Sequence, residues 1–331
     1  MPTLHLIDAD STQACPAVLA SVRASTGAGD RVLLLGGRVL RGYAQQAGIR
    51  DAHQLSVPFG KAALGMPALR RWLRDKPTFG LIHCWTPGAL HAASWVSRDT
   101  PKNLSLAHTP RHTQLKRLLR LAQSRHAANI TVTADNTPLT RRIVAAGVPC
   151  LTAPIPLPED DSKTLPPDRR GALRRAWGVP REKDFAIALV SDHPLLTNSL
   201  HAAAIVVLGL STLTDEPGTS SAAALILHPA QPNLRRARAL LDDQSTHMGV
   251  AQDAGVIRPW DVLGACDAAL AIGPDAGGLS LRWALRSGLP VIASVNGPAG
   301  DHNNAGSLRT AHTDYHKDLA HLLHTALQQK L

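Results

Sequence analysis

Aromatic residues are scarce: they make up 3% of this 331-residue chain, with two Tyr, three Phe and six Trp. With few Trp near the basic clusters, there is no stacking platform for unpaired bases, and no helix-turn-helix, RNA-recognition or zinc-finger pattern is present. Nucleic acid is therefore not an expected partner. Cysteine is equally sparse. Cys15, Cys84, Cys150 and Cys266 show no CxxC spacing, which fits reduced thiols in cores and leaves neither a disulfide framework nor a metal site to expect. No run of about 20 apolar residues exists to cross a bilayer. The N-terminal MPTLHLIDAD lacks a basic region followed by an apolar stretch, so it does not read as a signal peptide, and a cytoplasmic protein is expected.

Acidic residues are missing from one half. Residues 1–150 hold 19 Lys and Arg against 7 Asp and no Glu, a net +12, while residues 151–331 are close to neutral. Such a field favours anionic partners, an acidic membrane surface or a phosphorylated acceptor among them; the plainer reading is a solvated basic surface. The segment RHTQLKRLLRLAQSR, Arg111 to Arg125, sets Leu115, Leu118 and Leu119 on one helical side and Lys116, Arg117 and Arg120 around the rest. It is either a surface helix whose leucines cover a sheet or a helix that also meets an acidic bilayer at the inner face of the membrane.

At this length a single core no longer grows efficiently, and two domains are expected. Short apolar runs alternate with helical stretches in both halves, which predicts parallel sheets built from βαβ units. In the first half the runs are Leu4–Ile7, Val32–Leu35, Gly80–His83, Leu104–Ala107, Ile130–Thr133 and Leu151–Ala153. In the second they are Phe185–Val190, Ala223–Leu227, Gly255–Ile257, Ala268–Ile272 and Pro290–Ala293, with helices at Leu200–Leu208, Leu234–Leu241, Trp260–Ala265 and Leu279–Ser287 between them. The Pro- and acid-rich stretch from Pro154 reads as a linker. The expected division is an N-terminal Rossmann-like domain over 1–153, a linker over 154–183, a second Rossmann-like domain over 184–308, and a terminal helix within 309–331 returning to the first. Two doubly wound domains place a ligand at the carboxyl ends of their strands.

The stretch Cys266 to Ser294, CDAALAIGPDAGGLSLRWALRSGLPVIAS, runs strand, acidic residue, glycine pair, helix, strand. It resembles the donor-binding signature of glycosyltransferases of the GT-B, family 4 type, in which glycines let the backbone approach a diphosphate and a helix N-terminus stabilises its charge. FGLIHCWTPGALHAASWV, NLSLAHTP and ANITVTADNTPLTRRIVAAGVPCLTAPIP resemble that family's acceptor domain, and RRGALRRAWGVPREKDFAIALVSD its passage into the second domain. The resemblance implies an α/β protein of GT-B fold, two Rossmann-like domains facing across a cleft, that moves a hexosyl unit from a nucleotide-sugar donor to a hydroxyl of a glycan or lipid-linked acceptor. Retention of configuration is implied, and neither metal nor cofactor. The implied catalytic residues are His108, in the cleft, and Asp275, toward the transferred sugar. The implied donor-binding residues are Gly277, Gly278, Leu279, Trp283, Ser191 and His193.

Three departures bear on activity. Family members usually carry a second Glu where this chain has Trp283, which offers only an indole N–H and a stacking face. The Gly-Arg and Lys that usually contact the diphosphate are replaced by Ser191-Asp192-His193-Pro194, and the Gly-rich loop after the first strand by Asp8-Ala9-Asp10-Ser11-Thr12. A binding protein of this fold without turnover is therefore the rival reading.

Overall fold

A computed structural model of the chain describes residues 1–8, 16–36, 38–57, 65–76, 78–107, 110, 112–124, 127–157, 165–181, 184–190, 203, 205–206, 223–228, 248–252, 259–271, 279–294, 308–311, 321–325 and 327. The chain divides into two compact units, Met1–Glu159 and Asp160–Leu331.

In the first unit seven parallel strands are ordered β3-β2-β1-β4-β5-β6-β7. They are β1 (Thr3–Asp8), β2 (Arg31–Leu35), β3 (His53–Leu55), β4 (Leu81–Cys84), β5 (Lys102–Leu106), β6 (Ile130–Ala134) and β7 (Leu151–Thr152). The central strands β1 and β2 are buried along nearly their whole length because both their faces are covered. One face carries Leu4, Leu6, Leu33, Leu35, Ile82, Leu104 and Val132 into the main core. Against it pack α3 (Met66–Arg74), α4 (Pro87–Val96), α5 (His112–Ala122) and α6 (Thr137–Ala145), through Leu69, Leu90, Leu118, Leu139 and Ile143. In α5, Leu118 is buried while Lys116, Arg117 and Arg120 are exposed, so the leucines cover the sheet and the cations remain in solvent. Helices α1 (Pro16–Ser25) and α2 (Arg38–Gln46) also belong to this unit.

The second unit has six parallel strands ordered β10-β9-β8-β11-β12-β13. These are β8 (Phe185–Val190), β9 (Ala223–His228), β10 (Met248–Gln252), β11 (Ala268–Ala271), β12 (Val291–Ser294) and β13 (Leu308–Ala311), with helices α7 (Pro167–Ala176), α8 (Pro259–Ala265) and α9 (Leu279–Arg286). Helix α7 falls inside the 154–183 stretch read as a linker. It packs against α8 and anchors to the strands through charge. Arg174 donates to Asp267 at 2.6 Å, Arg170 to the other oxygen of Asp267 at 2.7 Å, and Arg169 pairs with Asp261 at 2.6 Å. The expected strand Gly255–Ile257 and helix Leu234–Leu241 lie outside the described residues. At the end of the chain residues 321–325 are helical, with Leu323 and Leu327 buried.

Helix boundaries in both units follow from local chemistry. After α6, α7 and α9 the chain reads Gly-Val-Pro, Gly-Val-Pro and Gly-Leu-Pro; Gly147, Gly178 and Gly288 hold φ of 84°, 78° and 75°, a region glycine enters without steric cost. The apolar residue that follows each glycine, Val148, Val179 or Leu289, is buried, and the proline forbids further helix. Much of the SGLPVIAS resemblance is thus a helix stop leading into a core strand. At the other ends, Thr86 accepts from the Ala89 N–H at 3.2 Å and Asn136 from the Leu139 N–H at 2.9 Å. We expect Thr86→Ala and Asn136→Ala each to destabilise by about 1 kcal/mol in urea unfolding, with Thr86→Ser close to wild type. An unchanged midpoint in both alanine variants would show that these caps do not hold the helices.

Candidate functional site

Strand order locates the ligand-bearing edge of each sheet. In the second unit β8 continues to β9 on one side while β11 continues to β12 on the other, so the order reverses between β8 and β11, the position at which doubly wound sheets commonly bind ligands. Ser191 and His193 immediately follow β8; Asp275, Gly277 and Gly278 lie between β11 and the first residue of α9. All five are outside the described residues, but the elements that frame them are not. Leu279 opens α9 with a fully buried side chain, and as a first-turn residue its backbone N–H has no partner within the helix. Trp283, one turn further, is 6% exposed, so nearly all of the indole expected to stack on a ligand is packed into the unit. Arg282 on the same helix is half-buried.

The first unit repeats the geometry, with the reversal between β1 and β4. Asp8, 3% exposed, ends β1; Trp85 and Thr86 follow β4; Asp135 and Asn136 follow β6, the Asp135 carboxylate accepting from the Ile155 N–H at 2.8 Å. His108, two residues beyond β5, lies outside the described residues. No local pattern marks Asp135, because its buried position depends on a partner 20 residues away.

His83 is not on this edge. It lies in the middle of β4, opposite His5 of β1, on the sheet face away from α3–α6. Its Nε2 is 2.8 Å from Ser105 Oγ, which is 3.2 Å from Thr133 Oγ1, and its ring stacks on Trp85 with centroids 4.4 Å apart. His5 Nδ1 accepts from Trp85 Nε1 at 3.2 Å, so its single proton belongs on Nε2, which faces Asp30 at 3.6 Å. Burial drives His5 below its usual range despite that carboxylate. Burial, with repulsion from His5, pushes His83 down to about 4. Burial disfavours the Asp30 anion, but the N–H groups of Thr3 and Gly27 outweigh it and hold its carboxyl below the ordinary value. Both rings are thus neutral, packed parts of the sheet near neutral pH. Burial likewise raises the Cys84 thiol out of the reactive range and Cys150 to about 11. Among the described residues no His, Cys, Asp and Glu gather as metal ligands, and no helix is long and apolar enough to cross a membrane.

No protein-family model matches the chain and no curated protein sequence is similar to it. Solved structures are similar in fold. Anabaena Alr3699/HepE in complex with UDP and glucose superposes over 100% of this chain and 91% of its own, with a TM-score of 0.70 at 17% identity. The glycosyltransferase from Rickettsia africae ESF-5 gives 0.67 at 12% identity, over 99% of this chain and 88% of its own. The UDP-GlcNAc 2-epimerase from Methanocaldococcus jannaschii gives 0.63 at 11%, over 100% and 94%. The chain has the GT-B fold. The same fold carries transferases and an epimerase, so the scaffold alone does not set the chemistry.

Proposed function

We propose that the chain is a glycosyltransferase that moves a sugar from a nucleotide-sugar donor to an acceptor hydroxyl with retention of configuration. The observation that supports it is the reversal of strand order between β8 and β11, ahead of the N-terminus of α9; 191–194 and 272–278 follow these two strands in the sequence and are assigned to that edge. The UDP, and in another structure the UDP-glucose, held by Alr3699/HepE support a nucleotide sugar as ligand on such a scaffold. In this reading the glycine pair lets the backbone approach the diphosphate, and the Leu279 N–H with the field of α9 stabilises the charge that grows on the leaving group. Asp275 serves the transferred sugar and His108 the reacting centre. The acceptor is a glycan or lipid-linked hydroxyl, met at the inner face of the membrane.

A helix N-terminus contributes up to about 2 kcal/mol toward an anion, against about −8 kcal/mol for micromolar affinity, so other groups supply most of the binding. Isothermal titration with UDP, GDP, ADP and their sugars tests the reading. One of these series is expected to bind, and Gly278→Val, which puts a branched side chain where the diphosphate approaches, is expected to lower the affinity at least about 100-fold, a loss of roughly 3 kcal/mol. Unchanged affinity in a folded Gly278→Val protein would remove the donor site from this turn. The buried Trp283, in place of a carboxylate, favours a second reading as a binding protein without turnover. Nucleotide-sugar binding with neither transfer nor hydrolysis would select it.

A further inference from the structure

At the amino ends of β4 and β5, opposite the edge that carries Asp8, Thr86 and Asp135, lies a cavity of about 670 Å³ that the proposed chemistry does not use. One wall is cationic: Arg70 and Arg74 on α3, and Lys76 just beyond it. Thr78, Ser97 and Thr100 add hydroxyls, Phe79, Ile82 and Val96 an apolar floor, and no carboxylate lines it. Asp75 and Asp99 are nearby in the chain, but both are exposed. The wall opposite α3 is fixed. Ser97 Oγ donates to Thr100 Oγ1 at 2.7 Å, and the ammonium of Lys102, a residue 2% exposed, donates to the Thr100 carbonyl at 2.6 Å, adding a positive charge beneath the loop. Lys76 also lies 5.8 Å from the Trp72 ring, which stacks on Phe79, so the cationic and apolar walls support each other.

One residue before Val96, in the last turn of α4, Trp95 has 61% of its surface in solvent, among the few large apolar side chains so exposed in the described residues. His91, one turn earlier, meets its ring edge-on. A pocket for a small soluble anion gains nothing from an exposed indole on the residue next to one of its lining residues. A bilayer surface does: tryptophan partitions to the headgroup level and cations are drawn to acidic lipid.

We infer that this cavity binds the phosphate headgroup of an anionic lipid at a membrane surface, with Arg70, Arg74 and Lys76 on the phosphate, the apolar floor under the first carbons of the lipid, and Trp95 inserted beside it. The site stands apart from the sugar-transfer reading and would hold if that reading failed.

The experiment is co-sedimentation of the whole protein with vesicles of phosphatidylcholine alone or mixed with phosphatidylglycerol. Binding is expected only with the anionic lipid, falling as salt rises. Each cation near such a surface contributes about fivefold, so R70Q/R74Q/K76Q is expected to weaken partitioning on the order of 100-fold. Trp95→Ala is expected to weaken it about tenfold, through lost burial of the ring. All of these side chains are exposed, so thermal unfolding should not move, and Lys76→Arg should retain binding. K116Q/R117Q/R120Q on α5 is the comparison arm and is expected to lose less. Equal binding to neutral vesicles, or loss in the α5 variant with none in the α3 variant, overturns the inference. So does inorganic phosphate or glycerol phosphate binding in calorimetry as tightly as the vesicles while Trp95→Ala has no effect, which would make the pocket a site for a soluble phosphate.

Discussion

Replacing Asp267 with alanine is expected to destabilise the second unit by about 3–5 kcal/mol, since the loss leaves a buried guanidinium without its counter-charge. Asp267 accepts from Arg174 and Arg170 and also from the Ala186 N–H at 2.9 Å, so one carboxylate ties α7, β8 and the start of β11 together. The Arg174 side chain is 6% exposed and its remaining hydrogen bonds go to the carbonyls of Ala265, Arg181 and Asp184, none of which neutralises it. The Arg170 side chain is 41% exposed, and Arg170→Ala should cost under about 1 kcal/mol because water screens that pair. Urea unfolding of the two variants beside wild type checks the difference. If Asp267→Ala lies within 1 kcal/mol of Arg170→Ala, the network does not carry the packing of α7.

Acid is expected to weaken the first unit through His83. Its value is about 4 in the fold against about 6.5 in the unfolded chain, so between those limits the unfolded state binds the extra proton. The stabilisation is complete above pH 6.5, falls as pH drops toward 4, and is level below that; for this group it amounts to about 3 kcal/mol at most. His5 is lowered in the same direction and adds to the slope. His83→Gln keeps a partner for Ser105 but does not titrate. Its stability, followed by urea midpoint from pH 7.5 to 4, should fall less steeply than that of wild type. Parallel pH profiles would mean that His83 takes up its proton within the fold.

These two sites mark how far the sequence was legible. Strands with continuous apolar runs, such as Phe185–Val190, were read with their bounds, since burial on both faces leaves an unmistakable composition. The three-residue β3, half-exposed at the sheet edge, has no such run. Helix α7 was missed because PDRRGALRRA offers little apolar stripe; it is held by Asp267, 93 residues from Arg174, a pairing no local pattern reveals. The donor segments were assigned from chain order alone, strand end to helix start, and lie outside the described residues. The burial of Trp283 was not legible: the same letter serves a ligand face or a core, and only packing shows how much of it is covered. The bond from Trp85 to His5 spans 80 residues and was equally hidden.

The strand order also sets a timetable. β8 lies between β9 and β11, and the ~80 residues separating it from β11 take several seconds to synthesise at roughly 5–20 residues per second. During that interval one edge of an almost wholly apolar strand has no neighbour to receive its N–H and C=O groups, the condition under which nascent chains associate wrongly. β1 waits in the same way for β4. In both units, therefore, the strand that closes the middle of the sheet is also the one whose late arrival ends the period of greatest exposure to misassembly.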